Sequence, residues 1–305
     1  MTYRKVQPFL RFARSRAFTV VELLVAISVL TLIVLVLYGL FDQVQRALRG
    51  NVAQVDVLEG GRSATQLMAG DLEQMEAGNL PASTNLYIGL SAAPSLQALL
   101  VAGTNRTNVL QQLFFSTHAN KTWFGTGYRV LLLSTNGIAN QLAENGVGTL
   151  CRYSFPVNDS DFPNLPPPPN NPGAARTNLF WQVMNQPLNP TWSNLTNYQP
   201  ILDGVVHFRI HAFDTNGMLM VSNIYSNVRI ITNVVFQSTA TEEIQYTFTN
   251  SALPAYLEVQ MGVLEPHVLE RYKAFPDPTV ASNYLARQVG AVHLFQQRIP
   301  IHAAK

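Results

Sequence analysis

At 305 residues the chain has room for a membrane helix and one sizeable domain, or for two small domains. Charged residues make up 12% of it, about half the usual share, so little salt-bridged helical surface is available, and strands and polar loops are expected after the first helix. Of 20 basic residues, five (Arg4, Lys5, Arg11, Arg14 and Arg16) lie before residue 17 with no acid among them; without residues 1–17 the rest carries 15 basic against 18 acidic residues, a net of −3 that excludes a global basic footprint for nucleic acid.

In chain order, residues 1–17 form a basic leader, and residues 18–41 follow as an apolar segment. From Leu23 to Phe41 there is no charge. Such a run gives about 28 Å of helix, close to the hydrocarbon thickness of a bilayer. The basic flank precedes the run, so the N-terminus is expected to stay cytoplasmic and the rest to be exported. A secretory signal peptide has a shorter apolar core followed by a small-residue cleavage site. No Ala-x-Ala site follows this one. A plain signal anchor accounts for everything except Glu22, an acid that costs roughly 2.5–3.5 kcal/mol near the centre of a spanning helix and less near its end. A cut after Ala17 would make Phe18 a new terminus, four residues before Glu22, and a free α-amine is a cation able to meet a neighbour's carboxylate.

The run Arg16-Ala17-Phe18-Thr19-Val20-Val21-Glu22-Leu23-Leu24 resembles the prepilin cleavage and methylation motif of type IV pilins and pseudopilins. The resemblance implies that prepilin peptidase cuts between Ala17 and Phe18, that the Phe18 amine is N-methylated, and that Glu22 guides filament assembly. Ala17 stands where the family normally has Gly.

Residues 42–78 are expected to continue the helix as an amphipathic spine. Phe41, Val44, Leu48, Val52, Val55, Leu58, Leu67, Met68, Leu72 and Met75 mostly keep three- and four-residue spacing, which reads as a core face. Gly60-Gly61 is a candidate kink, and Gly78-Asn79-Leu80-Pro81 is expected to end the helix. The remainder, 79–305, reads as an exported β-rich domain. Short apolar runs at Gln111–His118, Tyr128–Ser134 and Thr149–Phe155 predict strands, and Val205–Asp214 alternates with His207, Arg209 and His211 on its polar side. The turn Asp214-Thr-Asn-Gly217 before Met218–Ser222 predicts a hairpin. The stretch at 163–173, with Pro166-Pro-Pro-Pro169, reads as a loop. Tyr256–Leu264 alternates again, Val280–Gly290 is helix-like, and Val292–Ile301 reads as a last strand. The fold expected is α+β and pilin-like: a long N-terminal transmembrane and amphipathic helix packed on an antiparallel sheet.

Chemical motifs are sparse. His207 and His211 on a strand stand about 13 Å apart, too far to share one metal, and are expected to face solvent. His118, His267, His293 and His302 are isolated in sequence. Asp214-Thr-Asn-Gly217 and Asp159-Ser-Asp161 read as turns rather than calcium loops. Cys151, the single cysteine, is expected to be a buried structural thiol. No nucleophile, metal or nucleotide motif appears, so no enzymatic role, metal or cofactor is expected.

The segment around Asp71-Leu72-Glu73-Gln74, together with Leu202–Asp214, Leu253–Val259 and Phe295–Ile301, resembles the spine end and closing strands of minor pseudopilin J of type II secretion and of the related minor pilin W. That resemblance implies a minor pseudopilin subunit, with prepilin peptidase, other major and minor pilins or pseudopilins and the inner membrane as partners, and no nucleic acid. A minor type IV pilin for adhesion, motility or DNA uptake, and a signal-anchored exported protein, are the alternatives.

Overall fold

A computed structural model describes residues 19–78, 83–90, 95–98, 105–133, 139–142, 146–158, 198–236 and 241–302. The predicted Pro-rich loop at 163–173 lies outside them. The chain divides into two units, residues 1–52 and 53–305. One helix, α1 (Val20–Glu73), contributes to both.

In the first unit every large apolar side chain from Val20 to Phe41 is exposed. An 18-residue window of α1 reaches a mean hydropathy of 3.0, and the helix is long and apolar enough to cross a membrane. Two of its hydroxyls are satisfied within the helix: Ser28 Oγ donates to the Val25 carbonyl at 2.9 Å and Thr31 Oγ1 to the Ile27 carbonyl at 2.8 Å. Hydroxyls closed onto their own helix suit a hydrocarbon setting.

The second unit packs the rest of α1 against an antiparallel sheet. Val57, Ala64, Met68, Leu72 and Met75 are buried there, each of the larger ones contributing roughly 1.5–3 kcal/mol of apolar burial. The packed face keeps Met68, Leu72 and Met75 of the predicted stripe. Val55, Leu58 and Leu67 are 51%, 45% and 41% exposed and lie off that face. Gly60-Gly61, the candidate kink, does not interrupt α1, which runs through it. A Cβ on Gly61 would stand 2.2 Å from the Phe295 ring, so the glycine serves close approach. The helix also ends earlier than predicted. Its last amides tighten onto carbonyls three residues back, Gln74 to Asp71 and Met75 to Leu72. The Glu76 amide then crosses to the Ser116 carbonyl at 3.2 Å.

The strands are β1 (Thr84–Leu90), β2 (Ser95–Ala98), β3 (Asn105–Asn108), β4 (Gln111–Ala119), β5 (Thr122–Leu133), β6 (Ala139–Leu142), β7 (Gly148–Asn158), β8 (Tyr198–Phe213), β9 (Val228–Phe236), β10 (Thr241–Thr249), β11 (Tyr256–Leu264) and β12 (Val292–Pro300). Ten of them form one sheet in the order β12-β11-β8-β7-β5-β4-β1-β10-β9, with β6 also on β5; β2 and β3 pair separately. The fold is α+β. Two short helices, α2 (Pro266–Lys273) and α3 (Pro278–Ala286), lie between β11 and β12. Asp277 caps α3 by accepting the Thr279 amide at 2.8 Å, and Pro278 opens it. Val268, Leu269, Tyr272, Ala281 and Leu285 from these helices close over Val206 and Leu264.

A ten-stranded twisted sheet tends to curl, and this one is stitched across its curl by side chains. Gln111 accepts the Ile210 amide of β8 at 2.6 Å and donates to the Ile244 carbonyl of β10 at 3.3 Å. Arg209 pairs with buried Glu243 at 2.8 Å. The predicted hairpin at 205–222 is only partly formed. After Gly217, with φ of +74°, the chain returns through the Met220 amide to the Ala212 carbonyl and makes no second strand. Asp214 accounts for this, since it draws the chain into a compact loop described below.

Candidate functional site

The residues singled out by the sequence are Ala17, Phe18 and Glu22. Ala17 and Phe18 lie outside the described residues. Glu22 sits in the first turn of α1, and its surroundings add a role that the sequence analysis missed. Thr19 precedes the helix as its cap. The Thr19 amide and hydroxyl each donate to Glu22 Oε2 at 3.0 Å, and the Glu22 amide donates to Thr19 Oγ1 at 3.3 Å. This reciprocal arrangement is a capping box, which satisfies orphan donors at a helix start. The signal was legible as Thr-x-x-Glu ahead of an apolar run. Only Oε2 takes these bonds. Among the described residues Oε1 has no hydrogen-bond partner, so one carboxylate can cap its own helix and still receive a cation.

A second cluster joins α1 to the sheet. Arg152 of β7 donates from Nε to Asp71 Oδ2 at 2.6 Å and from Nη2 to Oδ1 at 3.1 Å. The Tyr128 hydroxyl of β5 donates to the same Oδ2. The two charged side chains are 14% and 23% exposed. Burial, then Asp71, push the Tyr128 phenol well above its usual range, and the Asp71 bond raises Arg152. The pair fixes the last turn of the helix against two central strands.

The histidines depart from expectation. His207 is buried, not solvent-facing. Its Nδ1 accepts the Val109 amide at 3.1 Å, tying the β3–β4 connection to β8. Burial, with Arg106 from β3 and Arg209 from β8 beside it, drives its pKa down to about 3, against a smaller upward pull from a Gln260 hydrogen bond. Burial takes His211 to about 4, helped by Arg209 and opposed by Glu258. His267 and His293, far apart in sequence, both meet Glu265, at 3.4 and 2.9 Å, and His118 meets Glu76 at 3.4 Å. Among the described residues no group of three His, Cys, Asp or Glu side chains is placed to hold a metal ion. Asp214 spends its carboxylate on the Asn216 and Met218 amides and the Tyr225 hydroxyl. Asp159 and Asp161 lie outside the described residues. Cys151 is buried, and burial raises its pKa to about 12, which keeps the thiol protonated and unreactive.

A histidine whose folded pKa lies below its unfolded value of about 6.5 stabilises the fold above that value and loses the contribution as pH falls toward the folded pKa. His207 is therefore expected to remove about 2 kcal/mol of stability by pH 5, with His211 acting in the same direction. In His207→Asn, whose side-chain oxygen can take the Val109 amide, urea midpoints at pH 7.5 and 5 should differ less than in the wild type. An equal pH slope in the two proteins would contradict this.

Compared with family models, with curated proteins and with solved structures, the chain matches none. The functional reading therefore stands on the chain's own residues.

Proposed function

We propose that this chain is a prepilin-like subunit, a minor pseudopilin of a type II secretion pseudopilus, anchored in the inner membrane by α1 with its second unit exported. The observation that carries the reading is the N-terminal sequence. A basic leader without acids is followed by Ala17-Phe18-Thr19, Glu22 and an uncharged apolar run. Support comes from Glu22 lying in the first turn of a helix apolar enough to cross a membrane. Further support comes from that same helix ending on a large antiparallel sheet through Asp71 and Arg152. The work proposed is assembly rather than catalysis. Prepilin peptidase removes residues 1–17, the Phe18 amine is methylated, and that amine meets the Glu22 carboxylate of a neighbouring subunit. The pairing neutralises both charges at membrane depth and lowers the cost of moving the helix from lipid into a filament. Co-expression with an active prepilin peptidase tests the reading. The chain should lose its leader only when the peptidase is present, and retention of the leader beside a processed control prepilin would overturn it.

A further inference from the structure

Two polar side chains of β3 stand apart from the paired charges around them. Nearby, Arg209 has Glu243 and Arg298 has Glu258. Arg106 has no carboxylate. Among the described residues it makes no ion pair, its Nη2 is buried without a hydrogen-bonding partner, and burial alone lowers its pKa. Asn108 is 1% exposed, and neither its Nδ2 nor its Oδ1 meets a partner. Turning the amide over changes nothing, since one donor and one acceptor stay unmet.

An unmet buried donor or acceptor is destabilising, and a buried charge without a counter-charge is more so. Native proteins keep few of either, and holding an ion is one reason to keep them.

The two side chains share a neighbourhood. Residues 106 and 108 of a strand point to one face, about 7 Å apart along it. That face meets β8 at His207. Arg106 stands beside the ring, and the Val109 amide, next in the chain to Asn108, donates to its Nδ1. His207 lies opposite Gly262 of β11. A Cβ on Gly262 would stand 3.0 Å from Arg106 Nη2 and 3.0 Å from His207 Cβ, so the absent side chain lets the guanidinium lie there. His207 spends its Nδ1 on Val109. The groups left over are two donors, one of them charged, and one acceptor.

We infer that Arg106 and Asn108 form a binding site for a small oxyanion that keeps a proton, such as hydrogen phosphate. Its anionic oxygens accept from Arg106 Nη2 and Asn108 Nδ2, and its hydroxyl donates to Asn108 Oδ1. Sulfate would satisfy the donors but set an oxygen against Oδ1 with no hydrogen between them. A water molecule would satisfy the amide but brings no charge to Arg106. Arg106 is itself only partly buried, which gives an anion in solvent a route to it.

Equilibrium dialysis of the full chain in mild detergent against labelled inorganic phosphate at pH 7.5 tests the site. The wild type should retain one phosphate per chain, and an equal concentration of sulfate should displace little of it. Its melting midpoint should rise by about 4 °C at ten times the dissociation constant. Arg106→Gln should bind at least about tenfold more weakly. Asn108→Asp places a carboxylate beside Arg106 and should have two effects. It raises the midpoint in phosphate-free buffer above that of the wild type, and it abolishes phosphate binding. No phosphate retained by the wild type would overturn the inference, a result that needs no variant. So would displacement by sulfate as ready as by unlabelled phosphate, or wild-type binding by a folded Arg106→Gln or Asn108→Asp.

Discussion

Glu22→Gln is expected to abolish incorporation of the chain into a filament while leaving its helix start intact. The distinction arises because the proposed function would give Glu22 a second job beside its cap. Its Oε2 closes a capping box with Thr19, and a glutamine can close the same box with its carbonyl oxygen. Glutamine cannot supply the negative charge that a neighbour's N-terminal amine would meet. If charge pairing drives assembly, Gln fails as completely as Ala, while leader removal proceeds in both. If capping is the whole role, Gln assembles like the wild type and only Ala is impaired. Recovery of subunit in sheared filaments, quantified beside leader removal for the three proteins, separates the two. Wild-type filament levels for Glu22→Gln would sink the pairing mechanism.

The second large effect is on stability. Asp71→Ala is expected to cost about 2–4 kcal/mol, because it leaves the Arg152 guanidinium and the Tyr128 hydroxyl partly buried without their acceptor. The pair is bidentate and hydrogen-bonded a third time, so it is worth more than an exposed ion pair. Its lower exposure places the cost toward that of a buried pair broken on one side. Asp71→Asn keeps an acceptor and should lose less. Urea denaturation of the full chain in detergent micelles measures both. A loss below about 0.5 kcal/mol for Asp71→Ala, the range of ordinary surface changes, would show that the contact does not hold the helix end to the sheet.

What the sequence disclosed follows from how local each signal is. The apolar run of α1 announced itself by hydropathy alone. The strands β4, β7, β11 and β12 were read close to their bounds because alternation or short apolar runs mark them. By contrast β9 and β10 were missed: Val228–Phe236 has no clean period of two, whereas Ile244, Tyr246 and Phe248 alternate with Gln245, Thr247 and Thr249, a signal that was legible and overlooked. The spine face was legible at Met68, Leu72 and Met75, which are buried as their spacing suggests, but not at Ala64, a small residue that packs on the sheet, nor at Val55, Leu58 and Leu67, which stay exposed. His207 was assigned to solvent because its strand neighbours Arg209 and His211 are polar. Only the tertiary placement of the 105–110 segment, through Val109, reveals the burial. At the candidate site Glu22 was legible as an oddity in an apolar run, and Thr-x-x-Glu was legible as well but overlooked. The joining of Asp71 to Arg152, 81 residues apart, is a long-range pairing that no local pattern encodes.

The central claim is that residues 1–17 are a leader and Phe18 is the working terminus. The N-terminal mass of the chain, purified from membranes containing an active prepilin peptidase, tests it most directly. The account predicts a chain that begins at Phe18 and carries one N-methyl group. An intact Met1 terminus, with a control prepilin processed in the same cells, would contradict it and leave a signal-anchored exported domain in its place.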